Sequence, residues 1–141
     1  MTTTTASPAD SDAAAFAAAE ETYRAYVEAL NGRRSDPSAS ADPVLLLADE
    51  ARQAAEETAA ELQSAGVAVV GRTDVLWVQP VSFDGVSAVL ATCVDSGDAR
   101  VKDSQGNDVT PLDRPDRQKL SITVDVERAL ITNSVVEDLS C

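Results

Sequence analysis

A chain of 141 residues with 44% hydrophobic and 25% charged side chains is long enough for one domain with a core of its own. Its net charge of −13, from 24 acidic against 11 basic residues, argues against a nucleic acid or an anionic membrane surface as partner, since both require a cationic face. The chain has no histidine, which removes the commonest general base and metal ligand, so the usual zinc sites and catalytic triads are excluded and neither metal nor cofactor is expected.

Residues 1–11 are Thr, Ser, Ala, Pro and Asp apart from Met1. This composition predicts a flexible or partner-ordered tail. It has neither a basic region nor an apolar stretch, so it does not read as a signal peptide. One domain, 12–141, is expected to follow.

A helix is predicted over 12–31. Ser11 or Asp12 can cap it. Phe16, Ala19, Tyr23, Tyr26, Val27 and Leu30 recur at steps of three and four and share one face. Asn31-Gly32 supplies a stop. A loop over 32–41 contains Arg33-Arg34, which reads as a complement to the helix dipole rather than an anion site. Asp42-Pro43 then starts a short helix, Val44–Ala48. Asp49-Glu50 restarts a longer one that ends at Gly66, as two helices or one bent helix. Ala51, Ala54, Ala55, Thr58 and Leu62 form a small-residue face suited to packing on a sheet.

From Val67 the hydrophobic period changes to two. Val67–Val70 and Thr73–Val81 read as one strand or a bulged pair, with Gly71 as the bulge. Phe83-Asp84-Gly85 is a turn and Val86–Asp95 a strand. Residues 96–116 carry two turn signals, and the stretch from Asp103 to Asp108 reads as a hairpin turn rather than a calcium loop. Gln118–Arg128 alternates, with Leu120, Ile122, Val124 and Val126 on one face. Ala129–Leu139 is the last strand. About three N-terminal helices before about four antiparallel strands predict an α+β fold. No run approaches the ~18 apolar residues of a membrane span, so direct membrane insertion is not expected.

Cys93 lies in one apolar run and Cys141 follows another. If they pair, their strands are neighbours and the chain has met an oxidising compartment. The alternative is two unpaired thiols. Without a Cys-x-x-Cys spacing, redox catalysis is not expected.

The layout resembles the nuclear transport factor two-like superfamily, the cone-shaped fold of ketosteroid isomerases and scytalone dehydratases, and within it an actinobacterial exported or lipoprotein branch. The matching pieces are Glu21-Thr22-Tyr23-Arg24-Ala25-Tyr26, Leu62-Gln63-Ser64-Ala65-Gly66, Cys93-Val94-Asp95-Ser96 and Ser140-Cys141. The resemblance implies a curved sheet wrapped against a long helix with a pocket between them, and a Cys93–Cys141 disulfide. In the isomerase branch an Asp acts as base in an apolar cavity, with Tyr and a protonated acid as donors. The corresponding candidates here are Asp74, Asp95, Tyr23 and Tyr26, and the plainer reading of Asp95 is a turn cap. Trp77 could floor such a pocket or pack in the core. The branch's lipid-acceptor cysteine, the tryptophan of the last hairpin and the enzymes' histidines are missing.

The expected function is a non-enzymatic binding or interaction domain, extracellular or in the cell envelope, for an apolar small ligand, a protein partner or its own copies. One alternative is a structural part of an assembly such as an actinobacteriophage virion, with the N-terminal tail on a neighbouring subunit. A His-free isomerase or dehydratase is the second.

Overall fold

The computed structural model describes the backbone of residues 8–141 and the side chains from residue 12 onward. Residues 1–7 of the expected tail lie outside the described residues. Helix α1, Pro8–Ser35, overruns its expected limits at both ends. A proline needs no partner for the N–H it lacks, so Pro8 suits the first turn and Ser11 and Asp12 do not cap the helix. The other end passes through Gly32 and stops short of Pro37, whose ring disfavours helical geometry at Asp36.

Asp42 caps a single 3-10 turn, Pro43–Leu46, by accepting from the Val44 N–H at 3.0 Å. Helix α2, Asp49–Ala65, follows separately, and Gly66 ends it in the left-handed region at φ 69°. Two α-helices and one 3-10 turn therefore stand in place of three helices. Between the turn and α2, Leu47 bridges to Ile131 and the Ala48 N–H donates to the Ile131 carbonyl at 2.9 Å. This pins the start of α2 to the sheet.

Six strands follow: β1 (Val67–Val70), β2 (Asp74–Phe83), β3 (Ser87–Asp95), β4 (Arg100–Asp103), β5 (Arg117–Asp125) and β6 (Leu130–Asp138). The four long ones form an antiparallel sheet in the order β2-β3-β5-β6. β1 and β4 pair in a separate ribbon. Val67–Val70 and Thr73–Val81 are thus neither one strand nor a bulged pair. Gly71 turns the chain between two sheets at φ 87°, where an added Cβ would run into the Asp98 carbonyl. β4 occupies part of the stretch that carries only turn signals in the sequence. The hairpin turn after it is held by Asp103, whose Oδ1 accepts from the N–H groups of Gln105 and Asn107 at 2.9 and 2.8 Å.

Alternation sorts the sheet into two faces. The inner face sets Ala88, Leu90 and Val94 of β3 and Ile122 and Val124 of β5 against Ala19, Tyr23 and Val27 of α1. Burying each large aliphatic side chain there contributes about 1.5–3 kcal/mol.

Cys93 and Cys141 are joined, with Cα atoms 6.0 Å apart. Their strands are nevertheless not neighbours, because β5 separates β3 from β6. Trp77, Cys93, Lys119 and Asp138 form one cross-strand row on the outer face. Residues 139–141 carry the chain back over β5 to Cys93. Two strand spacings are about 10 Å, which three extended residues span. A cysteine beyond its strand need not sit in the neighbouring one.

The bond closes a loop of sequence separation 48, and chain entropy assigns such a loop about 4 kcal/mol. Cys141→Ser, an exposed change, is expected to lower the melting temperature by roughly 8 °C or more in a calorimetric scan without reductant. An unchanged melting temperature would refute the staple.

Candidate functional site

α2 is held at its start by the Leu47–Ile131 bridge and runs at its end into β1. Its inward residues are too short to fill the space between these anchors. Of the predicted packing face only Ala51 is buried, Ala55 and Leu62 are half-buried, and Ala54 and Thr58 remain exposed. The result is a cleft of about 710 Å³ between α1, α2 and the sheet. The volume lies in the range of small-molecule sites.

The cleft wall on α1 is Tyr23, Tyr26, Leu30 and Arg34, at steps of three and four. Val44 and Leu47 close one side, Ala55, Thr58 and Leu62 face α1, and Ile122 and Ile131 come from the sheet. Burial pushes both tyrosine hydroxyls above their ordinary pKa, with Thr92 opposing the rise at Tyr23. Both therefore stay protonated at neutral pH. Burial also pulls the Arg34 guanidinium below its ordinary value. Its Nη1 donates to Thr73 Oγ1 at 2.8 Å.

Tyr23 and Tyr26 are the two sequence-derived pocket residues that the fold brings together. Asp74, Trp77 and Asp95 do not line this cleft. Trp77 is half-buried on the outer face, opposite Cys93 in register. Asp74 faces Asp95 across β2 and β3, forms an ion pair with Arg72 at 3.2 Å and borders a separate groove along α1. Asp95 accepts from the Gly97 N–H at 2.8 Å, which holds its carboxyl below the usual range, and pairs with Arg117 at 3.3 Å. It caps a turn.

Arg34 is the wall residue that the sequence reading assigned elsewhere. The Tyr26, Leu30, Arg34 spacing continues the helical stripe by fours, and the stop read at Asn31-Gly32 cut it short. The Asn31 side chain instead clamps the chain after Gly71. Its Nδ2 donates to the Thr73 carbonyl and its Oδ1 accepts from the Thr73 N–H, both at 2.8 Å.

Among the described residues no group of three or more His, Cys, Asp or Glu side chains is placed to hold a metal ion, and no helix is long and apolar enough to cross a membrane. Comparison with protein-family models, curated proteins and solved structures gave no match.

Asn31→Ala strands a buried N–H and carbonyl at Thr73 and is expected to destabilise the fold by about 2 kcal/mol in urea denaturation. A loss under 0.5 kcal/mol would show that the clamp is not structural.

Asp95, Asp103, Asp108 and Asp125 are all held below the usual carboxylate range by hydrogen bonds made in the fold. Their folded pKa values lie below the unfolded value of about 3.9, so their stabilisation is present above it and lost as pH falls through the folded values. The melting temperature is expected to hold level from about pH 7 to 5 and to fall below about pH 4, as followed by circular dichroism. A rise below pH 4 would mean that relief of self-repulsion in this acidic chain outweighs the lost hydrogen bonds.

Proposed function

We propose that this chain is a non-enzymatic binding domain with a nuclear transport factor two-like cone, exported or envelope-associated, that holds an apolar small molecule. The observation that carries the reading is the aliphatic cleft of about 710 Å³ between α1, α2 and the sheet. A long helix laid across one face of an antiparallel sheet supports the cone. The disulfide supports an oxidising setting, where such bonds persist. Binding rather than turnover is supported by the composition of the walls. Their polar groups are the two tyrosines, Arg34, Thr58, Gln63 and Ser134, while Asp74 and Asp95 stand elsewhere.

N-phenyl-1-naphthylamine, a neutral probe that fluoresces in apolar surroundings, is expected to bind the native protein saturably. Thr58→Trp, at an exposed position on the cleft wall, is expected to abolish that signal without shifting the melting temperature. No fluorescence gain with native protein would defeat the reading, and so would a gain that survives Thr58→Trp.

A further inference from the structure

Basic residues are scarce in this chain, and most are matched by acids. Eight of the 11 have a carboxylate within 4.0 Å among the described residues: Arg24, Arg52, Arg72, Arg100, Lys102, Arg117, Lys119 and Arg128. Arg33, Arg34 and Arg114 have none there. Arg33 lies at the end of α1 and donates to the Ala39 carbonyl at 2.6 Å. The other two are linked through Thr73 and Ser96. Arg34 donates to Thr73 Oγ1, which is 3.0 Å from Ser96 Oγ, and the Ser96 carbonyl accepts from Arg114 Nη2 at 2.9 Å. Two cations are thus tied to the same pair of residues, Thr73 and Ser96, with no acid paired to either among the described residues. Each repels the other, and an anion would relieve both.

Arg34 is also a wall of the apolar cleft, one helical turn from Leu30 and two from Tyr26. A guanidinium carries five N–H donors. One atom of this one, Nη1, meets a protein acceptor among the described residues. The remaining donors suit the planar oxygens of a carboxylate. The sequence reading of this pair as a dipole complement is therefore incomplete for Arg34, which is tied to Thr73 and the cleft.

Resting on the binding reading above, we propose that the cleft takes an amphipathic carboxylate, with its acid head on Arg34 and its hydrocarbon chain along Leu30, Leu47, Leu62 and Ile122. The net charge of −13 repels anions in general, so a preference for the acid must come from this local cation. Hydrophobicity alone would favour the uncharged analogue of equal length.

Isothermal titration of the disulfide-bonded protein with decanoate and with decanol tests this. Decanoate is expected to bind about tenfold tighter or more, the return of one charge-assisted contact. Arg34→Gln is expected to erase that difference by weakening decanoate at least about tenfold more than decanol. Where Arg34→Gln does not fold, Arg34→Lys is expected to reduce the preference, because an ammonium lacks the fork. Equal affinities in the native protein, or a preference untouched by either variant, would overturn the role of Arg34 and leave the cleft reading standing. Binding of neither probe would overturn the cleft reading itself.

Discussion

Everything in this molecule is arranged around the contact between α1 and the middle of the sheet. Ala19, Tyr23 and Val27 lie one turn apart on the helix and meet Leu90, Val94 and Ile122. Alanine at position 19 lets the backbone come close, and its side chain is fully buried. Tyr23 then fills the wider part of the gap and ends at the cleft. The same helical stripe therefore changes character along its length. It packs the core from Ala19 to Val27 and lines the cleft from Tyr23 to Arg34.

β3 is the strand on which both layers converge. Its residues from Leu90 to Val94 are buried without interruption, although an antiparallel strand with one wet face would alternate. The inner residues are covered by α1. On the outer face, Cys93 is covered where the chain returns after β6, with Trp77 across from it in register. The disulfide is thus a lid as well as a link. It covers β3 at Cys93, on the side that α1 does not reach.

The α+β class, the four long strands, the α1 face and the Asp42 and Gly66 caps were legible because each depends on residues close in sequence. Leu120, Ile122, Val124 and Val126 announce the inner face by alternation alone. What escaped depends on distant partners. Asn31-Gly32 carries a local stop signal, yet Asn31 is engaged by Thr73, far along the chain, and the helix continues. β4 is four residues between turns and exists because β1 pairs with it. The candidate site was half legible. Periodicity puts Tyr23 and Tyr26 on the inward face of α1, and only the family resemblance proposed them for a pocket. The positions of Asp74, Trp77 and Asp95 depend on strand register and a bulge between Val75 and Trp77, which no local pattern displays. The openness of α2 is a matter of side chains too short for the gap they face, and a small-residue stripe in the sequence does not say how wide that gap is.

The return of the chain over β5 also decides how the molecule bears load. A pull applied at Cys141 enters the sheet at Cys93 and bypasses β5 and β6. The segment between the two sulfurs, of sequence separation 48, is kept out of the force path. At ~3.6 Å per residue, roughly 170 Å of contour length stays hidden until the bond is reduced. Under tension the molecule is thus a short tether with a redox-released reserve.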